Sequence, residues 1–402
     1  MKSLKGQNSL DLQKANRSLV IRTLNKQRTT TRAEICALTG LNKATVTNIV
    51  NDLIAWGAVR EVGMSTGKSG RRTILIEIAR ENYAIIGAWL KRNEFITGIF
   101  DIYGECQFME SVSFSVDDID ENVVEIMTSQ LNRLIEKVTN QKLLGVAIAL
   151  PGPYIKKKGK IALITGRWKW IKEDIEKKVK SSLCADVYTQ HDCNAATMAE
   201  WYYTCHGDET ANMMCVMVGH GVGSGMIENG KIVNGSLGTA GEIGHTSIRY
   251  DGRKCECGNF GCLETYCTME AVMAELKQLL PQYPDSLCDE KSTFHDVMVS
   301  YQKKDPLAQK VINQVAEYLG YGIINAINLL NPKQIIIGDE LPEAAGKQFL
   351  DIVKKTVKER ILPEIYNEME IELSGLENPV LKGACICLLE ELFDDPEKFK
   401  CR

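Results

Sequence analysis

The sequence predicts a small winged helix-turn-helix domain followed by a larger α/β body of two lobes. Three observations predict it. A basic N-terminal segment contains closely spaced helix starts, a glycine-rich hairpin pattern follows them, and strand patterns then alternate with helical ones through the remaining chain. The length of 402 residues exceeds what one ordinary core holds, so two or three domains are expected.

The composition excludes membrane and secreted classes. With 44% hydrophobic and 25% charged residues, the chain resembles a soluble globular protein. No apolar run has the length of a membrane span, and the N-terminus lacks the apolar core of a signal peptide. Fourteen cysteines without a disulfide-like framework fit a reducing compartment, and we expect Cys385 and Cys387, in an apolar helical run, to lie in a core. The predicted location is the cytoplasm, with no membrane span.

Positive charge is concentrated at the N-terminus. Residues 1–72 contain 13 Lys or Arg and four acids, a net charge of +9. Because the whole chain carries −4, the remainder carries −13. A basic head on an acidic body predicts a polyanionic partner for the head, although a solvated, lysine-rich surface would give the same excess.

The head contains three helix patterns. Apolar residues recur at helical spacing between Arg17 and Asn25. Thr31, with Glu34 three residues later, matches a capping box before the second helix, Gly40 interrupts it, and Asn42 opens the third. Two helices joined by a short glycine-containing turn form a helix-turn-helix.

Short polar and basic side chains on the outer face of the third helix can meet base edges and phosphates in a major groove. They are Asn42, Lys43, Thr45, Thr47 and Asn48. Two strand patterns, Ala58–Val62 and Thr73–Ile78, enclose a glycine-rich hairpin that ends in Arg71 and Arg72, as a basic wing requires. A protein-docking module is the alternative, but charge, polar face and wing all favour double-stranded DNA.

The body begins with apolar strand patterns. Tyr83–Leu90 and Phe95–Asp101 are expected to pair, and a helical pattern at Val123–Val138 precedes the buried strand Leu144–Leu150. Further strands are expected at 214–218 and 334–338, separated by helical stretches. This alternation predicts an α/β architecture.

A compact group of metal-binding side chains is the most informative part of the chain. One imidazole and three thiols within about twenty residues form the closed tetrahedral set that Zn²⁺ favours in structural sites. These ligands are His245, Cys255, Cys257 and Cys262. Glu242 and Glu264 beside them are not needed by the metal and could hold a ligand. A buried histidine beside reduced thiols is the alternative.

The motif Gly-Glu-Ile-Gly-His, followed by Cys-x-Cys-Gly-x-x-Gly-Cys-x-Glu up to Glu264, resembles the signature of the ROK family of repressors, open reading frames and sugar kinases. With the winged-helix head, the whole chain resembles the repressor branch. The resemblance implies an actin/hexokinase-like (ribonuclease H-like) body and a structural Zn²⁺ on the four ligands. We expect a head over 1–79, a first lobe over 80–190 completed by about 380–402, and a second lobe over 191–379.

The resemblance also implies a monosaccharide site at Asp192, Glu242, His245 and Glu264. The chemistry is suitable, because a carboxylate can accept two vicinal hydroxyls at once. A metal on one nitrogen of His245 leaves the other nitrogen for a hydroxyl. His191 replaces the Asn that kinases of the family place beside the Asp, so xylose, glucose and N-acetylglucosamine all remain open.

A ROK kinase needs two glycine turns for the nucleotide phosphates. The first should read Asp-x-Gly-Gly-Thr, but Trp89–Glu94 offers bulky side chains there. The second, Gly219–Gly225, is retained, and a later Gly-Gly pair reads Gly338-Asp339. Without a positioned phosphoryl donor, Asp192 would be a vestigial base. We expect no enzyme activity, with an ATP-dependent sugar kinase as the alternative.

The sequence therefore predicts a sugar-responsive repressor of carbohydrate uptake or catabolism genes. A homodimer or homotetramer would place two recognition helices on inverted half-sites of operator DNA. A monosaccharide effector would change the geometry of the paired heads. Control by a regulatory protein partner is the alternative, and the sign of the response is open.

Overall fold

The computed structural model describes residues 9–66, 72–114, 120–152, 154–155, 160–161, 175–208 and 210–400. The chain divides into two compact units. The first comprises residues 1–149, 178–189 and 384–402, and the second comprises residues 150–177 and 190–383. The head therefore belongs to the same unit as the first body sheet. The domain limits drawn from the sequence stay predictions.

The head contains three helices and a three-stranded antiparallel sheet in the order β1-β3-β2. Its elements are α1 (Ser9–Gln27), β1 (Thr29–Thr31), α2 (Arg32–Thr39), α3 (Lys43–Ala55), β2 (Val59–Thr66) and β3 (Arg72–Ile78). Val20, Ile21 and Leu24 of α1 are fully buried, as are Val46 and Leu53 of α3. The predicted winged helix-turn-helix elements are confirmed; the short strand β1 was not predicted.

Local signals in the head act as the sequence indicated. Thr31 and Glu34 form a capping box at the start of α2, which ends at Gly40 with φ +71°. Strand β2 continues four residues beyond the predicted end at Val62. A bulge between Glu61 and Gly63, where Gly63 has φ +142°, shifts the pairing with β3 and lets the strand continue.

The body contains eleven α-helices and twelve strands within the described ranges. In chain order these are β4 (Tyr83–Leu90), β5 (Glu94–Phe100), β6 (Cys106–Ser113), α4 (Asp120–Lys137), β7 (Lys142–Leu150), β8 (Tyr154–Ile155), β9 (Lys160–Ile161), α5 (Ile175–Ser182), β10 (Val187–His191), α6 (Asp192–Thr204), β11 (Met213–Val218), β12 (Val222–Glu228), β13 (Lys231–Ile232), α7 (Glu264–Cys267), α8 (Met269–Leu279), α9 (Phe294–Gln302), α10 (Pro306–Leu330), β14 (Gln334–Gly338), α11 (Glu340–Ala345), α12 (Lys347–Lys358), α13 (Pro363–Asn367), β15 (Glu370–Leu373) and α14 (Pro379–Phe393).

Each unit contains a mixed five-stranded sheet. The first has the order β10-β7-β4-β5-β6, in which β4 is antiparallel to β5 and parallel to β7. The second has the order β13-β12-β11-β14-β15, in which β11 is antiparallel to β12 and parallel to β14. In the second unit, buried residues of β11, β14, α10 and α12 share one hydrophobic core. The predicted α/β class is confirmed.

Helix α14 is strongly apolar, and the boundary between the two units falls within it. Cys385 and Ile386 are fully buried, as predicted, whereas Cys387 is half-buried. Residues 379–383 of the helix belong to the second unit and the residues from 384 onward belong to the first. Within the described ranges, no helix combines the length and apolarity needed to cross a bilayer.

Candidate functional site

The predicted metal ligands lie together. The ligand atoms of His245, Cys255, Cys257 and Cys262 all lie within 4.8 Å of one another. Two pairs, Sγ of Cys257 with Sγ of Cys262 and Sγ of Cys255 with Nδ1 of His245, are each 3.7 Å apart. A tetrahedral ion with bonds of about 2.3 Å separates its ligands by about 3.8 Å, whereas a disulfide needs about 2.05 Å. The cluster can therefore hold a tetrahedral metal ion.

The surrounding loop fixes these ligands through its backbone. The amide of Cys255 donates to the carbonyl of Asn259 at 2.9 Å, and the amide of Gly258 donates to the carbonyl of Cys255 at 3.0 Å. Gly258 has φ +96°, a conformation that glycine adopts without strain. Burial, with the neighbouring thiols of Cys257 and Cys255, raises the pKa of Cys262 to about 12. A bound cation would be needed to stabilise the thiolates.

Three acidic side chains converge beside this loop. Asp192 is the first residue of α6, and its Oδ1 accepts from the amide of Cys193 at 2.7 Å. Glu264 is the first residue of α7, and its Oε2 accepts from the amide of Val222 at 3.2 Å. Glu242 directly precedes the 3₁₀ turn that ends at His245. Asp192 and Glu264 are both close enough to act electrostatically on Glu242.

Glu242 is the least satisfied of these acids. Its Oε1 is buried and has no hydrogen-bond partner among the described residues. Burial, followed by the charges of Asp192 and Glu264, raises the pKa of Glu242 to about 7. A buried acceptor of this kind calls for a donor, such as a ligand hydroxyl. Nδ1 of His245 faces the sulfur of Cys255, so the other ring nitrogen, Nε2, points away from that sulfur.

Two further residues border Asp192. Nε2 of His191 lies 3.2 Å from Oδ1 of Asp192, and burial lowers the pKa of His191 despite that carboxylate. The ring lies directly over Gly152, where a Cβ would overlap it. Asn194 has a buried Oδ1 with no partner in the described part of the chain. From the sequence, His191 was only a departure from the kinase pattern and Asn194 was not predicted, although both stand in the segment around Asp192.

The predicted DNA-reading face lies on α3. Lys43 and Asn48 are exposed, whereas Thr45 and Thr47 are half-buried. The side chain of Asn42 caps the helix by accepting from the amide of Thr45 at 2.9 Å. The hydroxyl of Thr47 donates to the carbonyl of Lys43 at 2.7 Å. Two of the five predicted side chains therefore also stabilise the helix that carries them.

Much of the positive charge of the head is engaged in ion pairs. Arg32 pairs with Glu61 at 3.1 Å, and Arg60 pairs with Glu77 at 2.6 Å and with Glu81 at 2.5 Å. Three cations of α1 pair with acids of the C-terminal segment: Lys14 with Asp395, Arg17 with Glu397, and Arg22 with Glu390 and Asp394. In the wing, Arg72 is exposed and Arg71 lies outside the described residues. The excess of +9 therefore overstates the charge available to DNA.

The chain combines a helix-turn-helix head with a body that has a Cys/His cluster and converging acids, and two family models match these two parts. The model of the IclR helix-turn-helix domain matches residues 19–63, and the model of the ROK family matches residues 95–386. The chain belongs to the ROK family.

Relatives of known name match most of the chain. The xylose repressor of Caldicellulosiruptor bescii is 28% identical over 395 residues, which are 96% of this chain and 98% of the repressor. The DNA-binding transcriptional dual regulator NagC of Escherichia coli K12 is 29% identical over 376 residues, which are 92% of this chain and 91% of NagC.

Solved structures share the fold. A ROK family transcriptional regulator, a homologue of the E. coli MLC protein, matches with a TM-score of 0.83 at 21% identity and covers 97% of this chain and 99% of its own. A ROK glucokinase from Streptomyces griseus, in complex with glucose and AMPPNP, matches with a TM-score of 0.66 at 22% identity and covers 75% of this chain and 98% of its own. The actin/hexokinase-like body and the helix-turn-helix head predicted from the sequence are confirmed.

Proposed function

We propose that this protein is a transcriptional repressor of carbohydrate genes that binds operator DNA through its head and a monosaccharide through its body. One observation carries the proposal: within a group of three acids, Glu242 has a buried oxygen with no hydrogen-bond partner among the described residues. The same chain has a helix-turn-helix. Ligand hydroxyls would donate to Asp192, Glu242 and Glu264. With the metal on Nδ1, the Nε2–H of His245 would donate to a hydroxyl oxygen of the ligand. The names of the relatives, xylose repressor and NagC, support a sugar as effector.

The metal in this proposal is Zn²⁺, because three thiols and one imidazole in tetrahedral reach are its preferred structural donors. His245, Cys255, Cys257 and Cys262 would hold it. Its contribution is structural: it would fix the ring of His245 and the loop that leads to Glu264. A symmetric dimer or a higher oligomer would present paired α3 helices to an inverted repeat.

The segment Trp89–Glu94, which corresponds to the first phosphate turn of a ROK kinase, supports ligand binding without catalysis. β4 and β5 meet in a tight connection in which the amide of Lys91 donates to the carbonyl of Glu94 at 2.8 Å. The Lys91 ammonium lies 4.7 Å from the centre of the Trp89 ring. These contacts support the proposal, because a phosphate cradle presents bare backbone amides in place of such side chains.

The second turn is retained, but acidic groups surround it. The Asp339 carboxylate lies against the backbone of Gly219, at 2.7 Å from the place of a Cβ. His220 bonds to Glu270 at 2.7 Å through Nδ1 and lies 4.0 Å from Glu340 through Nε2. Three carboxylates beside the turn would repel nucleotide phosphates. We therefore propose that the chain transfers no phosphoryl group.

Selection of duplexes from a random DNA library by the purified full-length protein tests the proposal. We expect enrichment of an inverted repeat, and at least a fivefold change in its Kd with one sugar of a panel of aldoses and amino sugars. Thermal-shift screening first identifies that sugar, because ligand binding stabilises the native state. Failure to enrich any duplex would refute the regulator.

Variants of the acids separate the alternatives. Asp192→Asn and Glu242→Gln should lose the sugar response and keep DNA affinity, whereas the exposed Glu228→Gln, on β12 of the same unit, should keep both. A response to a protein partner that survives both variants would favour control by that partner. Sugar-dependent release of ADP that Asp192→Asn abolishes would establish a kinase instead.

A further inference from the structure

The C-terminal segment of the chain holds the first helix of the head. The guanidinium of Arg22 on α1 pairs with the carboxylates of Glu390 and Asp394, the latter at 2.9 Å, and donates to the carbonyl of Glu390 at 3.0 Å. It also lies 5.4 Å from the centre of the Phe393 ring. All of these residues belong to the first unit. Contacts with two carboxylates, a carbonyl and an aromatic ring fix the orientation of the planar guanidinium far better than a single surface ion pair does.

Neighbouring contacts extend this attachment toward the DNA-reading helix. Lys14 pairs with Asp395 at 3.0 Å, and Arg17 lies 3.7 Å from Glu397. Arg17 also pairs with Asp52 of α3 at 2.7 Å and lies over the Trp56 ring at 5.0 Å. The C-terminal acids therefore contact α1, and α1 contacts α3 directly.

The other end of α14 contacts the helix that carries Asp192. A Cβ at Gly383 would overlap the carbonyl of Ala195, so the backbones of α14 and of the first turn of α6 touch within the second unit. Asp192 is the first residue of that turn. Contacts this close leave no room for α6 to move toward α14 without displacing it, because packed interiors have low compressibility.

Helix α14 is unbroken between these two contacts. Glu390 lies seven positions after Gly383, a rise of about 10 Å at 1.5 Å per residue. Chains of packed backbone and ion pairs of this kind can carry coupling between distant sites when they have two arrangements.

We propose that α14 transmits the ligand state of the Asp192 site to the head, and that Arg22 is the positioning residue through which α1 follows it. This proposal rests on the proposed function, since it needs a ligand at Asp192 and DNA at α3. It predicts that Arg22 affects neither binding event by itself but sets their dependence on each other.

The test uses the full-length protein, the duplex recovered by selection and the sugar that raises its melting temperature. In the native chain we expect the sugar to change the Kd for the duplex at least fivefold. In Arg22→Ala the sugar Kd and the sugar-free DNA Kd should stay within about twofold of native values, while the sugar-dependent change falls below twofold. Glu390→Gln keeps the shape of the side chain and should reduce the change to an intermediate value.

Arg133→Ala is the matched control, because Arg133 is also an arginine of the first unit with a carboxylate, Glu110, at 2.7 Å. It should retain the full sugar-dependent change. Amide hydrogen exchange of α1 gives a readout that needs no DNA: sugar should alter it in the native chain and not in Arg22→Ala. A native sugar response that persists undiminished in both Arg22→Ala and Glu390→Gln would overturn the coupling alone. A native chain with no sugar or DNA response would overturn the proposed function, and the coupling with it.

Discussion

Replacing Glu242 by Gln should stabilise the protein at alkaline pH, although the same change removes an acid of the proposed ligand site. Burial and two neighbouring acids raise the pKa of Glu242 from 4.5 to about 7. Between these values the folded state holds a proton that the unfolded state has released, so the free energy of unfolding falls as pH rises through this window. A difference of 2.5 units corresponds to about 3 kcal/mol lost above pH 7, of which about 2 kcal/mol is lost between pH 5.5 and 8.

Glutamine does not titrate, so Glu242→Gln should lack this loss. Urea unfolding of both proteins at pH 5.5, 7 and 8, with equimolar Zn²⁺ throughout, measures the difference in their free energies of unfolding. It should grow by about 2 kcal/mol in favour of the variant from pH 5.5 to 8. Exposed Glu228→Gln on β12 is the control and should show a constant difference. A constant difference for Glu242→Gln as well would refute the burial argument.

Three further predictions concern the metal, the helix contact and the head. Cys257→Ser should lose the bound Zn²⁺, measured by metal analysis, and lower the melting temperature, whereas exposed Cys184→Ser should retain one equivalent. Gly383→Ala should cost about 1–3 kcal/mol of unfolding free energy because its methyl group overlaps α6, whereas Gly375→Ala, which meets nothing within 4 Å, should be near neutral in urea unfolding. Asn42→Ala should destabilise the head by about 1 kcal/mol through loss of the α3 cap, and Asn42→Asp should restore that stability in thermal unfolding.

Local patterns in the sequence predicted the cluster of His and Cys side chains and seven of the fifteen strands in the described residues. The four ligands lie within eighteen positions, so their spacing along the chain already reflects their proximity. Strands β4, β7, β11 and β14 are apolar runs bounded by turn residues, and the predicted limits agree with the structure to within two residues. Periodicity is reliable where burial is continuous.

The charge of the head was harder to interpret, because the sequence gives the number of basic residues but not the acids with which they pair. Arg22 and Glu390 are 368 positions apart, and nothing in either local sequence indicates that they meet. The basic head therefore predicted a DNA surface, although three cations of α1 face acids of the C-terminal segment. Ion pairs between distant segments depend on the fold, so local sequence patterns cannot predict them.

The glycines of the second turn have a packing role that does not depend on phosphate. A Cβ at Gly223 would lie 2.5 Å from the sulfur of Cys193, and one at Gly225 would lie 2.6 Å from the carbonyl of Cys193, so both let β12 lie against α6. At Gly221 a Cβ would lie 3.3 Å from Oε2 of Glu264, and the next amide, that of Val222, donates to this oxygen. The turn thus positions Asp192 indirectly, through the packing of α6, and positions Glu264 directly, through the amide of Val222. These glycines would be needed with or without a bound nucleotide, because the same backbone shapes the proposed ligand site.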